Sequence, residues 1–163
     1  MEGNESSSYV VRDIPDELLA EAAKLVFDAW PDDCREAGCG SSEEYARMLE
    51  IKGVTLVATA AKEEDGLAGI CSILDDDLPE RRWLGPWLAN LVVVPEHRGR
   101  GLGRQLVAAA LAKAISIYPD LATLYLWTDR ALISYYRDMG WSPVEILKHH
   151  GKAICVMKYR LKK

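Results

Sequence analysis

PWLANLVVVPEHRGRGLGRQLVAAALAKAISI, residues 86–117, reads as strand, turn and helix in succession. Leu88 to Val94 is a nearly unbroken apolar run ending in three valines, the pattern of a strand covered on both faces in the middle of a sheet. Pro95 cannot donate a ladder hydrogen bond and ends it. After the turn, Leu102, Leu106, Ala110, Ala114 and Ile117 recur at helical spacing, with Arg104, Gln105, Lys113 and Ser116 on another face.

The turn itself, Arg98-Gly99-Arg100-Gly101-Leu102-Gly103-Arg104, carries chemistry. Three glycines in five residues allow positive φ and a close approach of main chain to ligand. The first amides of the following helix have no intrahelical acceptor, and the helix dipole adds partial positive charge to that of Arg98, Arg100 and Arg104. Such a turn suits a phosphate or pyrophosphate. The plainer alternative is a tight strand-to-helix turn with surface arginines. A Walker A loop fails, because Gly99 leads to Arg104 where Gly-Lys-Ser/Thr belongs; a GxGxxG dinucleotide turn fails too, counted from Gly99 or from Gly101.

The pattern Arg98-x-x-Gly101-x-Gly103, after an apolar strand and Val93-Val94-Pro95, resembles the acyl-CoA pyrophosphate motif of the GNAT superfamily of N-acyltransferases, R/Q-x-x-G-x-G/A. The likeness extends to Tyr135-Tyr136-Arg137-Asp138-Met139-Gly140-Trp141, similar to that superfamily's FYxxLGF/W segment, and to the ending Gly151 to Met157. The resemblance implies an α/β (α+β) fold with a mixed, mostly antiparallel central sheet of about six or seven strands flanked by helices. It implies acetyl-CoA as co-substrate, its pantetheine pairing with Leu91, Val92 and Val93 and its diphosphate held by Arg98 and the loop Gly99, Arg100, Gly101, Leu102, Gly103 and Arg104. A backbone amide around Val92 would polarise the thioester oxygen. Tyr136 aligns with the family tyrosine that protonates the departing sulfur, a role that needs a hydroxyl still neutral at pH 7. By residue type alone, without the resemblance, Tyr136 reads rather as one more aromatic on the buried face of a short helix, and Tyr135 reads as core.

The general base is less legible. Trp127 falls near the position where some GNAT enzymes carry a glutamate, and Asp129 stands nearest to the asparagine that contacts CoA in others. Deprotonation of an ammonium could run through water held by Asn90 and strand backbone, or through an acid between Asp75 and Glu80, although such acids are more often solvated loop charges. His149 and His150 sit at an expected hairpin and read as surface residues.

Composition bounds the rest. At 163 residues the chain reads as one domain, Tyr9 to Lys163, with a mobile polar N-terminus over Met1–Ser8. No apolar run is long enough to span a membrane, no secretory signal is evident, and a cytoplasmic location is expected. A net charge of −5 argues against general nucleic-acid binding. Cys34, Cys39, Cys71 and Cys155 show no metal-ligand spacing; Cys71 and Cys155 fall in expected strands, Cys34 and Cys39 in a loop, and free thiols are expected.

In order, a strand is expected over Tyr9–Ile14, a helix from Pro15 stopped by Pro31, a loop over Asp32–Gly40, and a helix to Ile51 capped by Ser41 with Glu44. Strands follow over Val54–Lys62 and Leu67–Leu74 around an Asp65-Gly66 turn. After the organising strand and helix come a strand over Asp120–Thr128, a helix over Ala131–Met139 closed by Gly140, and paired strands Val144–Lys148 and Ala153–Leu161. The expected activity is transfer of acetyl from acetyl-CoA to a primary amine of a small molecule by direct attack. The acids Asp32, Asp33, Glu36 and Asp75 to Asp77 tilt the acceptor toward a cation. The competing readings are a peptide N-terminal acetyltransferase, a non-catalytic acyl-CoA-binding module and a nucleotide-binding protein of another type; a homodimer is common among similar proteins.

Overall fold

Strand β4, Trp87–Val93, is the middle strand of a seven-stranded sheet in the order β1-β2-β3-β4-β5-β7-β6, seen in a computed structural model that describes residues 9–61 and 66–161. The expected mobility of Met1–Ser8 and the Asp65 half of the expected turn lie outside the described residues. The other strands are β1 (Tyr9–Asp13), β2 (Val54–Ala60), β3 (Leu67–Leu74), β5 (Thr123–Asp129), β6 (Ser142–His149) and β7 (Lys152–Arg160). All neighbours run antiparallel except β4 and β5, which are parallel. Parallel neighbours need a crossover, and helix α4 (Leu102–Ile117) supplies it.

Each face of the sheet is covered. On one, Leu102, Leu106, Ala110 and Ala114 of α4 pack on Leu56, Ala58, Cys71, Ile73, Leu88 and Leu126. On the other, Ala22, Ala23 and Val26 of α1 (Leu19–Ala29) and Tyr45 and Leu49 of α3 (Ser42–Ile51) pack on Val57, Leu67 and Ile70. Leu56, Val57 and Ala58 thus alternate between two cores, so β2 reads as continuously apolar although its side chains alternate. Fully burying a leucine or isoleucine in this way contributes about 1.5–3 kcal/mol. Cys34, Cys39, Cys71 and Cys155 are all unbridged and buried.

Several expectations shift for local reasons. Pro31 both ends α1 and opens a second helix, α2 (Pro31–Glu36), because proline at the first helical position forfeits no hydrogen bond; the expected loop over Asp32–Gly40 is therefore helical in its first half. Ser41 does cap α3, accepting from Glu44 N at 3.2 Å, but Glu44 Oε2 reaches back to Gly40 N rather than to Ser41. β5 starts only at Thr123, since Leu121 N closes a turn on Tyr118 O at 3.0 Å. The helix expected over Ala131–Met139 resolves into a 3-10 turn at Arg130–Leu132 and a short α5, Ile133–Arg137. Gly140 ends it with φ of 98°, and Trp141 N donates to Tyr136 O at 3.1 Å.

The largest departure is in β4 itself. Trp87, Leu88 and Ala89 are buried, but Asn90 to Val93 are only half-buried. The parallel pairing of β4 with β5 is confined to Trp87 opposite Tyr125, after which the strands part. Between Ser72–Ala89 and Ile70–Val92, two residues of β4, Asn90 and Leu91, face the single Cys71, and Asn90 takes φ of 57°. A bulge of this kind bends its strand. The continuous apolar run therefore belongs to a central strand whose second half borders a gap. Among the described residues no helix is long and apolar enough to cross a membrane.

Candidate active site

The gap between β4 and β5 exposes main chain. Val94 N donates across to Ala68 O at 2.8 Å, and strand backbone alternates, so Val92 also turns toward β3 while Leu91 and Val93 turn toward the gap. The amide able to meet a ligand oxygen there belongs to Leu91 or Val93, one residue to either side of Val92.

The gap leads to the glycine turn. Gly99 and Gly101 adopt φ of 77° and 78°, and a Cβ on either would stand in open space, so it is conformation and not crowding that calls for glycine. Gly103, in the first turn of α4, is different: a Cβ there would collide with the Tyr135 hydroxyl. Among the described residues no backbone carbonyl accepts from the amides of Gly99 to Arg104, and the next, Gln105 N, closes the first helical turn on Gly101 O. The three arginines are exposed and anchored: Arg98 Nε donates to Val93 O at 3.0 Å, Arg100 Nη1 to the Tyr9 hydroxyl at 3.4 Å, and Arg104 lies 5.7 Å over the Tyr135 ring. Among the described residues none of them pairs with a carboxylate. Amides with no backbone acceptor and guanidinium groups with no carboxylate partner among the described residues, around an open turn, suit a diphosphate.

Beyond the gap opens a cavity of about 720 Å³. Its lining includes Val26, Trp30, Leu88, Leu126 and Trp127, and Tyr136 with them. Asp33, Glu36, Asp75, Asp76, Asp77 and Asp129 are among its lining residues, with Lys52 and Arg82 as the basic ones; Asp75 accepts from the Tyr118 hydroxyl at 3.2 Å and Asp76 lies 3.6 Å from Arg82. Asp32 is not among the lining residues; it meets Arg35 on the outer side of α2 at 3.6 Å. Asp129 is engaged, its Oδ1 accepting from Ala131 N at 3.1 Å.

Tyr136 is buried, with only 7% of its surface exposed, and its ring packs edge-on against Tyr135 and Trp141. Burial pushes its hydroxyl pKa up, so the phenol keeps its proton through the neutral range. Tyr135 instead turns to Gly103 and Arg104, joining α5 to the start of α4. Asn90 lines the cavity with both ends of its amide engaged: the Tyr45 hydroxyl donates to Oδ1 at 3.0 Å, and Nδ2 donates to Ser72 Oγ at 3.1 Å. Ser72 Oγ is paired in turn with Thr55 Oγ1 at 2.8 Å. This chain fixes the bulge and ties α3 to β4. Tyr45 and Ser72 carry no motif; an isolated tyrosine on an apolar helix face signals only packing.

Two sequence expectations are overturned here. Asp77 is half-buried where Asp75 and Asp76 are exposed: desolvation raises its carboxyl pKa well above the ordinary range against the lowering effect of Trp127, and the carboxylates of Asp33 and Asp76 push the same way as burial. Trp127, which occupies the position expected for an acid, donates its Nε1 to Asp77 O at 3.2 Å and so shapes this segment. Nor is His149 a surface residue. It is 4% exposed and held between Glu80, 2.8 Å from Nδ1, and Asp33, 2.5 Å from Nε2. Burial opposes its charge, but the hydrogen bonds to Asp33 and Glu80 outweigh that and raise its pKa. Glu80 shifts in the complementary direction, lowered by His149 against its own desolvation. The sequence offers no sign of this contact, which joins positions 33, 80 and 149 in space.

Comparison with known proteins places this geometry. The family described as Acetyltransferase (GNAT) domain matches residues 53–143, which run from β2 through the turn and α5 into β6. No curated protein matches the chain. Among solved structures, an aminoglycoside 6′-N-acetyltransferase complexed with coenzyme A superposes with a TM-score of 0.72 at 19% identity, covering 94% of this chain and 98% of that one. An acyl-CoA N-acyltransferase from Pseudomonas aeruginosa gives 0.64 at 23% identity, covering 94% and 99%. The ribosomal-protein-S18-alanine N-acetyltransferase from Escherichia coli gives 0.67 at 18% identity, covering 95% of each chain.

Proposed function

The chain belongs to the GNAT acetyltransferase family, and we propose that it transfers the acetyl group of acetyl-CoA to a primary amine on a cationic small molecule. The observation that carries this reading is the composition of the cavity lining, in which six acidic residues outnumber two basic ones beside aromatic and aliphatic surface. An ammonium entering such a space gains favourable charge interactions, and its methylene groups gain apolar contact. Aminoglycoside acetyltransferases are among the structures that share the fold, and their acceptors are of this chemical kind.

Each step has a candidate group. The thioester brings an activated acyl carbon, so the protein has only to bind, orient and move protons. The turn from Arg98 to Arg104 would hold the diphosphate. The amide of Leu91 or Val93 would donate to the thioester oxygen as negative charge develops there. Asp77, half-buried in the cavity lining, is the carboxylate we assign to take the ammonium proton. The freed amine attacks the acyl carbon, the carbon–sulfur bond breaks, and Tyr136 gives its proton to the departing sulfur; the second proton, shed by the nitrogen as the amide forms, restores the tyrosine hydroxyl, so that the proton taken by Asp77 is the net release. Asn90 acts as a positioning residue, setting the bulge that turns Leu91 and Val93 toward the gap.

The test is coenzyme A thiol release with acetyl-CoA and a panel of polyamines, aminoglycosides, neutral primary amines and peptide N-termini. We expect turnover concentrated among the polycationic small molecules. Turnover with peptide N-termini alone would replace the acceptor class, and tight coenzyme binding with no thiol released by any amine would favour a binding module.

A further inference from the structure

We propose that Asp33, Glu36, His149 and His150 form a binding site for one divalent transition-metal ion of the zinc or cobalt type, fastening α2 to the β6–β7 hairpin. The donor atoms of these four residues all lie within 4.8 Å of one another. Asp33 and Glu36 stand three apart on one face of α2, and both carboxylates point at the imidazoles. His149 Nε2 and His150 Nε2 lie 2.5 Å and 3.5 Å from the same Asp33 Oδ1, and His150 Nε2 lies 2.7 Å from Glu36 Oε2.

The backbone is arranged to make this possible. Consecutive residues of a regular strand send their side chains to opposite faces. His150 instead adopts φ of 48°, a conformation uncommon outside glycine, and Gly151 follows at 75°. This turn brings both rings to one side, their centroids 4.1 Å apart. The other nitrogen of His149 is already held by Glu80, in the carboxylate–histidine arrangement that fixes ring orientation at metal centres. Two imidazole nitrogens and two carboxylate oxygens make a ligand set suited to zinc, cobalt or nickel; magnesium and calcium prefer oxygen alone. Ion pairing alone would account for the helix contact, but a metal ion would in addition replace the proton between Asp33 and His149 Nε2 and bring His150 into the same centre. Asp33 and Glu36 also line the acceptor cavity, but the test reads metal binding and not turnover, so its failure and that of the acetyl-transfer reading are distinguishable.

The experiment uses the full chain, without a histidine tag and freed of metal with a chelator. Cobalt(II) is titrated while the visible absorption is followed, and zinc(II) binding is measured by calorimetry and by thermal unfolding. We expect one equivalent of cobalt, a visible band that zinc displaces and magnesium does not, and a melting temperature raised by zinc. His150→Ala, at a half-exposed position, should keep its circular dichroism and lose the band. Glu36→Gln serves if that variant unfolds. Glu80→Gln should retain one equivalent with affinity weakened about 10–100-fold. Absence of a cobalt band together with zinc binding weaker than millimolar would overturn the proposal, as would unchanged stoichiometry and affinity in a folded His150→Ala.

Discussion

The turn from Arg98 to Arg104 and the cavity beside it are built in opposite ways. The turn is main chain: glycines at positive φ, unsatisfied amides at a helix start, and three arginines each within a few residues of the next. The cavity is side chain: acidic residues from α2, from the segment after β3 and from β5, set against aromatics from the α1–α2 junction, α3, β5 and α5. The first has positive charge, the second negative. A backbone site serves a ligand common to a whole family, because amides do not change when side chains do. A side-chain site can be rebuilt for each acceptor by a few substitutions, and that is where specificity should lie.

The contrast can be tested from either side. The largest effect should come where the two regions meet, at Tyr136. Tyr136→Phe should lower kcat by about 10²–10⁴-fold, the usual contribution of a positioned general acid, with little change in coenzyme affinity. A steady-state comparison checks it, and an unchanged kcat would remove the residue from the chemistry. Next, Arg98→Ala should raise the KM for acetyl-CoA about 10–100-fold, as expected for a lost charge-assisted hydrogen bond, while leaving the order of preference among amines intact. A change in acceptor preference in that variant would show that the two regions are not separable.

Asp77→Asn should act in opposite directions on activity and on stability. Turnover should fall and lose its rise with pH. Stability should move the other way, because the native carboxyl holds its proton to higher pH than the unfolded one. As pH climbs past the unfolded value of about 3.9, the unfolded chain releases a proton that the native chain retains, and wild-type stability declines until the native group ionises as well. Asp77→Asn lacks that decline. Its urea midpoint should gain on the wild type from about pH 4 upward and show no gain below it. Equal pH profiles would mean that Asp77 is solvated after all. Smallest is the effect of the exposed rim: Asp75→Asn with Asp76→Asn should raise the KM for a polyamine by about two- to fivefold, in line with the 0.2–1 kcal/mol of exposed ion pairs, and added salt should mute the difference.

The same contrast explains what could be read in advance. Leu102 to Ile117 forms the expected helix without correction because its spacing, its glycine turn and its proline-terminated strand are all local. Gly140 closes α5 for the same reason. The glycine turn with its three arginines is legible because its residues are neighbours in the chain. The bulge at Asn90 was not: it depends on Tyr45 and Ser72, which are distant in sequence and ordinary in type. His149 looks like a hairpin-tip residue until α2 is placed over it, and α2 was hidden by reading Pro31 only as a stop. Asp77 shows the same limit, since nothing in Asp75-Asp76-Asp77 tells which of three adjacent aspartates will turn inward.

The parting of β4 from β5 after Trp87 leaves a sheet with an unfilled slot. An elongated ligand lying in it, bonded to the Leu91 and Val93 peptides, would act as a supernumerary strand and make the two leaves of the sheet continuous. The coenzyme would then be a piece of architecture as well as a reagent. Its arrival should raise the melting temperature and slow amide exchange at Leu91 and Val93, even with no acceptor in the tube.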